Sequence, residues 1–318
     1  MEIFNKKTKG LFLIKIIILF ILLIGGVFIC NRITDQYFSN RHFGSYNDKI
    51  ETLKKTKGNR TIFVGGSSVL MGVNAEYYSK ISGESAINMG LHALKIYDIY
   101  LACIEPYIKS GDKIILAFEY YPYNYKWENY DDTGLYVAHE SELYYKLVPI
   151  KYRAIYTYQQ FLSSYSKVYN FLYTRILASQ FKEKEKAYLR ENINEYGDMK
   201  ININANSENP SPYHYSLTFN LDAAKSIMNY IEKYEKLGAK VYIVYPPIYT
   251  DQPIQDNYQQ LEEFHNKMCS YFGERVLGNP TDWMFNEGSN FWDTGYHLIS
   301  SAALNHTQYY YDLIKSAE

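Results

Sequence analysis

The chain is poor in the residues that would staple it, load it with metal or steer it to a polyanion. Only three cysteines occur in 318 residues, Cys30, Cys103 and Cys269. None belongs to a C-x-x-C pair, so a disulfide framework and a zinc ribbon are both excluded. Cys103 and Cys269 are read either as a pair in an oxidising compartment or as buried free thiols on two helices. There is no H-E-x-x-H, no EF-hand ladder of carboxylates and no G-x-x-x-x-G-K-[ST] loop, so no metal and no cofactor is expected. Neither sign of charge dominates: 33 Lys and Arg against 34 Asp and Glu leave a net charge of −1. A nucleic-acid partner therefore has no electrostatic footprint. No internal repeat is evident.

Two things are abundant. Tyrosine reaches 36 residues, which points to an AT-rich coding sequence more than to a function, with a tyrosine-lined glycan surface as the lesser reading. The other is one long apolar run. Residues 11–30 read LFLIKIIILFILLIGGVFIC, and a helix needs roughly 20 apolar residues to cross a hydrocarbon core about 30 Å thick. Lys15, the one charge in the run, lies near its start, where its ammonium can snorkel to the headgroups. The run is longer than a signal-peptide core of roughly 7–15 residues, and no small-x-small site follows it. Ile29 stands before Cys30, where a lipoprotein signal needs a small residue. The expectation is an uncleaved transmembrane helix. Lys6, Lys7, Lys9 and Lys15 lie on one side; Arg32 and Arg41, diluted by Asp35, lie on the other. The positive-inside rule then predicts a cytoplasmic tail over residues 1–10, a stem over 31–58 and an extracytoplasmic body over 59–318.

Within the body, short β-rich runs alternate with helical periods. Strands are predicted at 61–64, 85–88, 113–118 and 241–245, and helices at 74–82, 93–109, 220–238, 256–272 and 301–316. Asn220 is a predicted N-cap and Gly238 a left-handed C-terminal residue. Residues 125–215, rich in tyrosine and charge, read as a helical insertion carried on the core, with a loop over 202–212. The alternation predicts an α/β fold, a three-layer α/β/α sandwich around a mostly parallel sheet of flavodoxin-like type. In such sheets ligands bind beyond the carboxyl ends of the strands.

At the end of the first strand stands Gly65-Gly66-Ser67-Ser68-Val69, with Gly72 four residues after Ser68. A serine on a sharp strand-to-helix turn has an exposed hydroxyl, and nearby amides can face an oxyanion; an ordinary turn with an N-cap serine is the bland alternative. Serine needs a base held by a third group. Asp293 and His297, four residues apart in the loop before the last helix, offer that pair. The turn Asn88-Met89-Gly90 follows the second strand.

Together these blocks resemble those of SGNH (GDSL-type) hydrolases, over roughly residues 58–318, and are closest to the membrane-anchored, exported branch with DltD-like and alginate-acetylation-like proteins. The resemblance implies Ser68 as nucleophile with Ser67 as fallback, His297 as base and Asp293 as its orienter. It implies oxyanion or substrate contacts from Gly66, Ser67, Asn88 and Gly90, the Ser68 and Gly90 amides acting together. Two departures stand out. Phe118-Glu119-Tyr120-Tyr121 replaces the third block's Gly-x-Asn-Asp, so its asparagine donor is missing; Tyr120 is the substitute donor considered, with Asn124 in poor register. Asp293 also precedes His297 by four residues where three are usual. The function implied is extracytoplasmic O-acyl esterase or acyltransferase chemistry on an acylated cell-surface polysaccharide or teichoic-acid-like polymer, beside a multispanning membrane acyltransferase. The alternative is an inactive accessory of the same fold that binds a glycan or such a partner. His92, two residues beyond Gly90, is read as a structural histidine in preference to a substrate contact.

Overall fold

The computed structural model describes residues 6–39, 44–93, 95–127, 147–177, 187–200, 202–203, 209–215 and 217–318. Five strands make the central sheet: β1 (Arg60–Val64), β2 (Ser85–Asn88), β3 (Lys113–Leu116), β4 (Lys240–Val244) and, after a short β5 (Ile248–Tyr249), β6 (Val276–Leu277). Their order is β2-β1-β3-β4-β6, and every pairing is parallel. β5 pairs separately with β7 (Met284–Phe285). The chain runs outward in one direction from β1 to β2 and in the other from β3 onward. The topological switch, where such sheets open a crevice, lies between β1 and β3.

Nine helices occur among the described residues: α1 (Lys6–Ser39), α2 (Ser45–Lys55), α3 (Ser67–Gly72), α4 (Ala75–Ser82), α5 (Tyr97–Ile104), α6 (Ile150–Leu177), α7 (Leu221–Lys236), α8 (Tyr258–Phe272) and α9 (Ser300–Ser316). Strand pleating sends alternate residues to opposite faces. Ile62, Val64, Ile114, Leu116 and Ile243 meet α2, α5, α7 and α8 on one face. Phe63, Ile115, Tyr242 and Val244 meet α3, α4 and α9 on the other, through Val69, Tyr78, Tyr310 and Ile314. Both faces are covered, which is why the strands read as unbroken apolar runs.

Asn220 caps α7, its side chain accepting from the Asp222 and Ala223 amides, and Gly238 has a φ of 88° just past the helix end. The third strand stops at Leu116, short of the expected 118. β6 escapes sequence reading because only two half-buried residues pair.

Two stretches serve differently from expectation. Residues 45–55, read as stem, form α2, which buries Tyr46, Lys49, Ile50 and Leu53 in the core. Of the region read as an insertion, residues 128–146, 178–186, 201 and 204–208 lie outside the described residues. Residues 187–200 are stitched to the core: the Asn88 amide donates to the Tyr196 carbonyl at 2.8 Å, and Arg190 pairs with Asp48 of α2. None of the three cysteines is in a disulfide; Cys103 is buried on α5, and Cys269 on α8 lies 3.5 Å from His265 Nε2.

α1 carries one apolar stretch long enough to cross a membrane, Lys9–Cys30. Its residues 11–24 are mostly exposed, whereas Val27 and Cys30 are buried.

Candidate active site

At the β1/β3 switch the chain leaves the two strands through residues 65–68 and 117–121, all of them buried except the half-buried Tyr121. β1 delivers Gly66 and the first turn of α3, so Ser67 and Ser68 begin a helix at the strand's carboxyl end. A β-carbon at Gly66 would sit 2.5 Å from the Glu119 carboxylate, which would have to move aside. Ser68 is buried, and its Oγ has no hydrogen-bond partner among the described residues. Ser67 is slightly more exposed, at 6 %.

The loop before α9 builds the second half. The Trp292 amide donates to the His297 carbonyl at 2.8 Å, the Ile299 amide to Asn290 at 3.0 Å, and Phe291 bridges Leu298. The loop closes on itself like a small hairpin, bringing Asp293 and His297 face to face despite their spacing of four. His297 Nδ1 lies 2.6 Å from Asp293 Oδ1, with both side chains buried. Bound at Nδ1, the imidazole presents Nε2 as its free nitrogen, the arrangement that orients a general base.

Tyr188 completes this pair and was not foreseen from the sequence. Its hydroxyl donates to Asp293 Oδ2 at 3.0 Å and lies 3.1 Å from His297 Nδ1. Burial, then the neighbouring Asp293, raises the phenol's pKa, so it stays a donor. Its ring packs on Trp292 at 5.6 Å, and Trp292 shares a cluster with Leu70 and Met71 of α3. The Asp293–His297 loop is thereby tied to the serine-bearing helix. Ser68 and His297 are not hydrogen-bonded to each other in this arrangement.

The expected oxyanion donors are differently employed. The Ser68 amide donates to Glu119 Oε1 at 2.9 Å, and the Tyr97 hydroxyl donates to Glu119 Oε2. Burial, then adjacent Glu119, holds the Tyr97 phenol well above its ordinary pKa. The Gly90 amide donates to Asn88 Oδ1 at 2.9 Å. Both amides expected to receive an oxyanion are thus taken by this chain's own oxygens. Asn88 is a structural clasp: its Nδ2 reaches the Val69 and Val73 carbonyls, each at 3.0 Å, and Asp198 Oδ1 at 3.1 Å. Tyr120 does not substitute for the missing asparagine. Its hydroxyl donates to the Pro280 carbonyl at 3.2 Å, and its ring packs among Tyr215, Tyr245 and Phe264 in the core. Asn124 is likewise elsewhere, accepting from the Thr218 amide. His92 is half-buried, and its carbonyl accepts from Tyr100.

Behind the second block lies a buried ionisable pair. Lys49 Nζ donates to the Gly90 carbonyl at 2.5 Å. Burial lowers its pKa to about 7, against the opposing pull of Asp198. Asp198 caps α4 through the Ala75 and Glu76 amides at 2.8 and 2.9 Å. Burial raises Asp198 to about 6, against those hydrogen bonds and Lys49. His306 is structural: it bonds the Gly72 carbonyl at 2.8 Å, and burial lowers its pKa to about 3.

Comparison with family models, curated proteins and solved structures returned no match.

Proposed function

We propose that the chain is a membrane-anchored, extracytoplasmic serine O-acyl esterase or acyltransferase of SGNH type, working on an acylated cell-surface polysaccharide or teichoic-acid-like polymer. The observation that carries this reading is the buried Asp293–His297 pair at 2.6 Å, on a loop that packs through Trp292 against Leu70 and Met71 of the helix bearing Ser68. In this scheme His297 Nε2 takes the Ser68 proton as Oγ attacks the acyl carbonyl. Asp293 holds the imidazolium that forms. The alcohol leaves with that proton, and water or a sugar hydroxyl then receives the acyl group. Glu119 must withdraw from the Ser68 amide before that amide can stabilise the oxyanion. A multispanning acyltransferase is the partner this branch of the superfamily implies.

The second reading, an inactive accessory of the same fold that binds a glycan or such a partner, draws on one observation. Glu119 and Asn88 already occupy the Ser68 and Gly90 amides. The test is labelling by a fluorophosphonate together with p-nitrophenyl acetate cleavage, for the parent chain, Ser68→Ala, Ser67→Ala and His297→Ala. Loss of both signals in Ser68→Ala and His297→Ala supports the triad, with a fall of about 10²-fold or more expected for the base. Loss in Ser67→Ala alone moves the nucleophile one residue back. Absence of labelling in the parent chain supports the accessory.

A further inference from the structure

α6 presents an exposed apolar face. It is 28 residues long and contains no Asp or Glu, against four cations: Lys151, Arg153, Lys167 and Arg175. Ile150, Ile155, Tyr158, Phe161 and Leu162 are exposed, from 44 % at Ile155 to 77 % at Ile150. At about 100° per residue these five fall within an arc of roughly 140°. Tyr156 and Ser164, on the other side, are buried. α6 packs against α1, and the buried positions of the apolar run in α1 are Val27 and Cys30, at its far end.

We propose that α6 lies in the interfacial plane of the membrane that α1 enters, its exposed face against anionic lipid. The inference rests on α1 as a membrane anchor and is independent of the catalytic reading. Length does not make α6 a second span: α1 holds the sole stretch among the described residues that is long and apolar enough to cross. A basic, acid-free helix with aromatic and aliphatic residues on one face is the composition of an interfacial helix. Exclusively positive charge fits an anionic lipid surface better than a protein patch of mixed sign. The consequence for the molecule is a second contact with the membrane, which removes the freedom of a body swinging on a single anchor.

The test uses the full chain in phosphatidylcholine vesicles containing phosphatidylglycerol, with Cys30, Cys103 and Cys269 replaced by alanine and an environment-sensitive fluorophore attached through Tyr158→Cys. A second preparation carries the fluorophore through Phe20→Cys in α1. The expected result is quenching of the position-158 label by nitroxide lipids labelled near the headgroup, with little quenching by aqueous iodide. The position-20 label should be quenched by nitroxides deep in the acyl chains. Omitting phosphatidylglycerol should reduce lipid quenching at 158 about twofold or more. Iodide quenching at 158 without lipid quenching, while position 20 remains lipid-quenched, overturns the proposal and leaves the anchor standing. Protection at 158 from both quenchers identifies a protein occupant and also overturns it. Absence of lipid quenching at position 20 removes the anchor and the proposal together. None of these readouts depends on esterase activity.

Discussion

Tyr188 holds the Asp293 carboxylate by one oxygen while His297 holds the other, so the imidazole has one stable orientation. Under the proposed triad, Tyr188→Phe takes one donor from the Asp293 carboxylate that holds the base, and turnover is expected to fall roughly tenfold, the worth of one hydrogen bond to a charged group. A purely structural role would lower the amount of folded protein and leave the turnover of the folded fraction unchanged. Arg60 is the other single residue on which much depends. Its Nε donates to Asp112 Oδ1 at 2.9 Å, and its remaining nitrogens reach Asp112, Leu53 and Tyr107. Both side chains are fully buried. Arg60→Ala leaves an unpaired carboxylate in the core and is expected to cost about 3–5 kcal/mol, read from urea midpoints. Lysine should not rescue it, because its single ammonium cannot replace the guanidinium fork.

Among the elements, α2 and α4 are joined to the second block by the Lys49–Asp198 pair, and their pH dependence can be signed. Lys49 falls from 10.5 to about 7 on folding, so between these values the unfolded chain binds more protons and stability rises with pH. Asp198 rises from 3.8 to about 6, so between these values the folded chain binds more protons and stability falls as pH rises. The two groups together pull stability down toward pH 6–7. Lys49→Met is expected to abolish the rise contributed on the alkaline side. Asp198→Asn is expected to abolish the rise contributed on the acid side. Denaturation midpoints measured from pH 4 to 10 relative to the parent chain decide both. Equal shifts at every pH would show that the pair does not titrate in the folded state.

The whole molecule is an α/β body joined to an apolar helix that can cross a membrane. With the tail on the cytoplasmic side, a cysteine placed by Lys57→Cys, at an exposed position, should react with a membrane-impermeant maleimide in intact cells. Labelling only after lysis would reverse the orientation. Because α2 is packed into the body, only the short stretch between Ser39 and Ser45 separates the end of α1 from the core.

The sequence by itself determined the apolar helix, the parallel α/β alternation, the caps of α7 and the two chemical blocks at Ser67-Ser68 and Asp293/His297. These are local properties: a twenty-residue apolar run, a period, a glycine pair, and a carboxylate and an imidazole close enough along the chain for one loop to join. Tertiary structure alone decided who partners whom. Tyr188 is more than a hundred residues from Asp293, and nothing in its surroundings marks it among so many tyrosines. The place of Tyr120 in the core, and the capture of the Ser68 amide by Glu119, depend on which face each residue takes as the chain leaves β3. Lys49, a charged residue in an apparently polar stem, became core because the neighbouring Tyr46, Ile50 and Leu53 pack against the sheet and carry it inside. Folding chooses such contacts by the sum of buried surface and satisfied hydrogen bonds across distant segments, and no window along the chain contains that sum.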